Sequence, residues 1–413
     1  MLPPMLEIII VWHPQDERGA LIAQEFLDHF HGTAFSGLIG GAIEVYVRSA
    51  GWRSEDDAPR PIPFASFVHP AGVGSPRYVV VVPLMGNELA MAVQEGGPWR
   101  EYMEAISVTG KGSAQVGVFP HSLDESATDG TRLGELMGSF QRIAAATPQP
   151  DDCERALRCR ELTQGVAQML AESAEQRLTI FISHTKRPSA GEGESVKPLI
   201  AAVRDVIAST RLAEFFDAQD LQPGRDWDVE LRRRASTSAL LAIRTDLYPS
   251  REWCQREMLI AKREGLPVVI LDAIGDGEER GSFLMDHVPR MPLRRVDGQW
   301  SRADIYRGLD LMVDQCLKRE LWRHQSQTTE SSLGLNVAWW APHAPEPVTL
   351  IKWLQEYIKQ PAQGGDQDDL IVLHPDPPLG AEEKRVLQEI VDLSGLKRTI
   401  VVMTPRLLAA RTS

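Results

Sequence analysis

From residue 178 onward the chain alternates short apolar, β-rich runs with stretches of helical period, and this alternation constrains the fold more than any single residue. RLTIFISH (177–184) reads as a strand and SVKPLIAAVRDVIAST (195–210) as an amphipathic helix. RLAEFFDAQ (211–219) and DWDVELRRRAS (226–236) repeat the pair. SALLAIRTD (238–246), a helix opening near Ser250 in SREWCQREMLIAKREG, and LPVVILDAI (266–274) complete the series. Strands and helices at this spacing imply a parallel sheet with crossover helices. Sheets of this kind hold ligands outside the carboxyl ends of their strands.

The first 150 residues follow a similar plan. LEIIIVWHPQD (6–16) matches LTIFISHTKR (178–187) in position, and ERGALIAQEFLDHF (17–30) is the helix that follows. IEVYVRS, YVVVVPL and AQVGVFPHS supply later strands. GGPWREYMEAI occupies the place of SREWCQREMLI, and aligning Trp99 with Trp253 sets Met103 opposite Glu257. Four segments result: an α/β domain at 1–150, a connecting helix at 151–177, a second α/β domain at 178–322 and a small α/β unit at 331–413. ATPQPDD (146–152) and the polar run WRHQSQTTESSLG (322–334) read as linkers. The tail holds GLNVAWW, a helix around TLIKWLQEYI, the loop GGDQDD, then DLIVLHPDPPLG, AEEKRVLQEIVDL and RTIVVMTP.

Composition narrows the function. A net charge of −13 over 413 residues, with no long basic run, argues against a nucleic-acid or anionic-membrane partner. MLPPMLEIIIVWHP lacks a basic leader and contains Glu7, so it reads as a first strand rather than a signal peptide. No segment approaches the roughly 20 apolar residues that span a bilayer. Cys153, Cys159, Cys254 and Cys316 lack metal-type spacing. They point to a reducing cytoplasm, with neither a metal nor a resident cofactor.

Several motifs fail on inspection. VTGKGS (108–113) is not a phosphate loop, because Ala105 and Gly112 stand where the pattern needs Gly and Ser or Thr. GLIGGA (37–42) is a bend. Ser183 and His184 are adjacent on a strand and point to opposite faces, so they cannot form a nucleophile–base pair. His13 and His374 each precede a proline at a strand end and read as turn packing.

One carboxylate stands out. Glu257 has Trp253, Cys254, Ile260 and Ala261 as its helical neighbours at three and four positions, so nothing on its own helix neutralises it. Such a group is either paired across the fold or kept for chemistry. FISHTKRP (181–188) and FFDAQDLQPGRDW (215–227) leave successive strands at the same sheet edge. The topology thus gathers Ser183, Lys186, Arg187, Asp217, Arg225 and Trp253 around Glu257 at one crevice as candidate site residues. Trp253 reads equally as an aromatic wall and as a core anchor.

FISHTKR, FFDAQDLQPG and the Ser-x-x-Trp-Cys-x-x-Glu pattern of SREWCQRE, in that order, resemble the motifs of bacterial Toll/interleukin-1 receptor (TIR) domains. The resemblance covers 178 to roughly 320. It implies a flavodoxin-like parallel-sheet domain, flanked by a TIR-like N-terminal domain without the glutamate and by the small C-terminal unit. It further implies NAD+ glycohydrolase activity, or the related ADP-ribosyl cyclase activity, with Glu257 catalytic and NAD+ as substrate. Under it Lys186 and Arg187 read as pyrophosphate contacts or as solvated loop charges, Asp217 as a ribose contact or a turn cap, and Arg225 and Trp227 as a gate to the crevice or a contact to a neighbouring subunit. The family's behaviour adds self-association through TIR domains, activation by a ligand or protein partner, and a role in anti-phage innate immunity. One carboxylate suffices for this chemistry, because cationic nicotinamide departs as a neutral base and needs no general acid. The alternatives are a non-enzymatic TIR scaffold and a nucleoside-cleaving enzyme on a related fold.

Overall fold

The computed structural model describes residues 4–32, 34–35, 42–55, 57–64, 76–143, 151–171, 178–185, 190–210, 212, 215–217, 238–278, 280–333, 336–359 and 369–412. At 151–153, 190–195, 215–217, 329–333, 409 and 411–412 only the backbone is described. The chain divides into two compact units, Met1–Leu170 and Ala171–Ser413.

The first unit runs β1 (Leu6–Val11), α1 (Glu17–Phe30), β2 (Ile43–Arg48), β3 (Tyr78–Met85), α2 (Asn87–Glu95), α3 (Pro98–Gly112), β4 (Val116–Val118), β5 (His121–Ser122), α4 (Arg132–Met137) and α5 (Asp151–Leu170). Its strands are parallel in the order β2-β1-β3-β4, and β5 pairs with the end of β3. β1 and β3 are near-continuous apolar runs because helices cover a parallel sheet. In α1, Gly19, Ile22, Ala23, Phe26 and Phe30 are buried at helical spacing. Asp16 precedes α1, yet its carboxylate accepts hydrogen bonds from Glu88 N (3.1 Å) and Leu89 N (3.2 Å) in the first turn of α2. Gly86 leaves room for it, since a Cβ there would lie 2.3 Å from that carboxylate.

The helix read as a connector belongs to this first unit. Arg158 of α5 forks onto Glu25 of α1 (2.7–3.1 Å), and Thr163 meets His29 at 3.0 Å. Cys159, Leu162, Val166 and Leu170 bury the rest of the α5 face, an apolar stripe that demands a partner.

The second unit begins with β6 (Thr179–His184), α6 (Ala190–Ala208), β7 (Phe215–Asp217), β8 (Ser238–Arg244), α7 (Glu252–Arg263), β9 (Val268–Asp272) and β10 (Arg290–Pro292). It continues with β11 (Arg295–Val296), β12 (Gln299–Trp300), α8 (Arg302–Leu333), β13 (Trp339–Trp340), α9 (Pro347–Tyr357), β14 (Leu370–Leu373), α10 (Ala381–Leu393), β15 (Ile400–Met403) and α11 (Pro405–Thr412). One parallel sheet has the order β10-β9-β8-β6-β7, and a smaller one the order β13-β14-β15. α7 packs on the face bearing Phe181, Leu240, Ala242 and Ile270, and α8 covers the opposite face at Leu271. The helix expected at 226–236 and the loop at 364–368 lie outside the described residues.

The polar run 322–334 is not a linker. α8 continues as helix to Leu333, because Trp322 at its start is buried against Leu373, Met403 and Leu408 of the smaller sheet and its following helix. His324 is buried as well, and among the described side chains of 322–328 Gln327 is the exposed one. Among the described residues, no helix is long and apolar enough to cross a membrane.

Candidate active site

Glu257 sits in the middle of α7, whose opening is set by a short 3-10 turn, Tyr248–Ser250. Cys254, one turn earlier on the same face, donates its thiol to the carbonyl of His184 at 3.6 Å, tying α7 to the end of β6. On β6, Phe181 faces the α7 core, so side-chain alternation turns Ser183 toward the same helix. Ser183 Oγ donates to Glu257 Oε2 at 2.5 Å and lies 2.6 Å from the hydroxyl of Tyr248. A serine hydroxyl has one proton to give. With that proton on the carboxylate, the Tyr248 phenol donates to Ser183, and the three groups form a directed chain.

All three are buried, and Glu257 is only 2% exposed. Burial pushes the Tyr248 phenol well above its ordinary value, and the negative charge of Glu257 reinforces the shift. Tyr248 is therefore a neutral donor at every physiological pH. Thr185, next along from His184, meets Thr245 at 3.2 Å across the ends of β6 and β8.

The predicted residues separate into three groups. Ser183 and Glu257 come together, but Ser183 is enclosed and holds the carboxylate instead of lining an open crevice. Trp253 is neither core nor enclosed wall in this state. It is 37% exposed on α7, with the Arg256 guanidinium 5.8 Å from its ring centre. Lys186, Arg187, Arg225 and Trp227 lie outside the described residues. Asp217 is described by its backbone, paired in register with Ile182.

Tyr248 was not legible as a partner. The signal that bears on it is the Tyr-Pro turn ahead of α7, since a chain reversal there returns the residue to the core. The first unit offers an internal comparison. In the alignment of LEIIIVWHPQD with LTIFISHTKR, Val11 stands at Ser183, and Met103 stands at Glu257. Val11 and Met103 are both fully buried in one apolar cluster. The same strand and helix positions thus carry an apolar pair in one unit and a hydrogen-bonded polar pair in the other. The leading four strands also share one order, β2-β1-β3-β4 against β7-β6-β8-β9.

A cleft of about 1020 Å3 opens at the carboxyl ends of β8, β9 and β10, and Glu257 is not among the residues lining it. No protein-family model and no curated protein matches the chain. Among solved structures, a candidate phosphosugar isomerase from Silicibacter pomeroyi DSS-3 is similar at 11% identity, over 82% of this chain and 88% of that one, with a TM-score of 0.17. Overlap that slight carries no argument about fold or chemistry.

Proposed function

We propose that the second unit is a flavodoxin-like TIR domain that cleaves NAD+ between nicotinamide and ribose, with Glu257 as its catalytic carboxylate. The supporting observation is the buried Ser183–Glu257 pair standing where the first unit has Val11 and Met103. The apolar version satisfies the fold of the first unit, and a buried polar pair is seldom more stabilising than apolar residues of similar volume. Chemistry accounts for keeping the polar version. The order of FISHTKR, FFDAQDLQPG and SREWCQRE along the chain supports the same reading, as does the strand order β10-β9-β8-β6-β7, which corresponds to a 2-1-3-4-5 winding.

In the proposed reaction the bond from ribose C1′ to the pyridinium nitrogen breaks and its electron pair stays on nitrogen, releasing neutral nicotinamide. The carboxylate of Glu257 stabilises positive charge developing on the sugar. Water adds to C1′ and releases a proton, giving ADP-ribose; attack by a ring nitrogen of the adenine instead gives a cyclic product. Ser183 and Tyr248 aim the carboxylate without neutralising it. A group only 2% exposed does not meet a dinucleotide, so the enclosed arrangement is the resting state and self-association opens it. Control by assembly suits an effector of anti-phage defence.

The test is nicotinamide release from NAD+ by purified protein, free and artificially clustered. Clustering is expected to switch release on, and Glu257→Gln to abolish it with the fold retained. Undiminished release by Glu257→Gln removes the residue from the mechanism. Silence in every assembled state selects the scaffold reading.

A further inference from the structure

We propose that the cleft at the carboxyl ends of β8, β9 and β10 is a nucleotide-binding site separate from Glu257. It lies toward the face of the sheet covered by α6 and α8, whereas Glu257 and α7 occupy the other face. Its volume, about 1020 Å3, accommodates a ligand of nucleotide size.

One wall is a short hairpin. β11 and β12 pair antiparallel through a two-residue turn with positive φ at Asp297 (50°) and Gly298 (76°), the geometry that an Asp-Gly pair favours. Arg295 and Trp300 are direct cross-strand partners, and the guanidinium lies 4.6 Å from the indole ring centre. Arg302, at the head of α8, is held beside the same wall by Asp205 at 2.5 Å. The floor is also held. The Asp246 carboxylate accepts Gly275 N (2.8 Å) and Asp276 N (3.0 Å), binding the loop after β9 to the end of β8.

These groups define the chemistry of the occupant. An indole backed by a guanidinium takes a flat heteroaromatic ring. Arg295 presents a guanidinium to a phosphate at this wall, with Arg302, whose charge is shared with Asp205, beside it. The Asp246 oxygens retain lone pairs for sugar hydroxyls. Base, sugar and phosphate together specify a nucleotide. Nothing among these groups resembles the Ser183–Glu257–Tyr248 chain, so the occupant binds without being cleaved. Thr245 lines the cleft and meets Thr185, two residues beyond Ser183, so a bound nucleotide touches the strand end that positions Glu257.

The experiment uses the full-length chain carrying Glu257→Gln, so that turnover cannot confuse it. AMP, ADP, ATP and inorganic pyrophosphate are titrated by calorimetry. At least one adenine nucleotide is expected to bind with Kd below about 100 μM. Trp300→Ala and Arg302→Glu are each expected to weaken it about tenfold or more, the size of one base–aromatic stack or one phosphate contact. Arg302 is exposed, so its variant keeps the test valid if Trp300→Ala misfolds. The inference is overturned if no nucleotide binds below about 100 μM. It is likewise overturned if affinity survives both substitutions, or if pyrophosphate binds as well as ADP and Trp300→Ala changes nothing.

Discussion

Glu257 poses the question of a carboxylate on an apolar stripe, and among its partners is a neutral hydroxyl from strand β6. A hydrogen bond to a charged acceptor contributes about 1.5–3 kcal/mol. If the proposed NAD+ cleavage holds, Ser183→Ala is expected to lower its rate by about 10- to 100-fold by loosening the carboxylate, and Tyr248→Phe by less. Steady-state kinetics on the clustered protein check both. The sharper test copies the first unit: Ser183→Val with Glu257→Met restores the apolar pair seen at Val11 and Met103. Unfolding free energy is expected to hold steady or rise by about 1–4 kcal/mol while cleavage disappears. A large loss of stability would show that the polar pair serves the fold.

At the scale of elements, α7 is secured at both ends. Its first turn is tied to β6 through Cys254. Near its last turn, Lys262 donates to Glu346 (2.8 Å) and to the carbonyl of Asp286 (2.7 Å), with both charged side chains buried. Glu346 in turn caps α9 together with Thr349. The helix carrying Glu257 is thus bolted to the small C-terminal sheet and its helices. Lys262→Ala leaves a buried carboxylate without its cation and is expected to cost about 3–5 kcal/mol in urea unfolding of the second unit. An effect below about 1 kcal/mol would mean that water reaches Glu346.

At the scale of the molecule, the two units can be told apart by acid. In the first, His121 is only 4% exposed, and burial, with the positive charge of Arg158, pushes its imidazole down to about 4. The unfolded chain protonates this histidine near 6.5, before the folded one does. Stability contributed by neutral His121 is therefore complete above pH 6.5 and lost as pH falls toward 4. The expected loss is about 1 kcal/mol by pH 6 and about 2 kcal/mol by pH 5. His121→Gln is expected to flatten that slope in denaturant titrations of the first unit, and an unchanged slope would refute the assignment.

Periodicity alone was enough to read the α/β alternation, the parallel sheets and the helix that carries Glu257, because strand and helix formation follow local spacing of apolar residues. The linker reading of 322–334 failed for a physical reason. The segment looks polar, but Trp322 is buried by Leu373, Met403 and Leu408, far along the chain. Likewise α5 reads as a connector until Glu25 and His29 of α1 supply its partners. The identity of the odd carboxylate was legible, since its helical neighbours are adjacent in sequence. Its environment was not. Whether Ser183 and Tyr248 meet Glu257, and on which side of the sheet the cleft opens, depends on how helices rotate against strands drawn from distant parts of the chain. Only long-range packing sets that rotation.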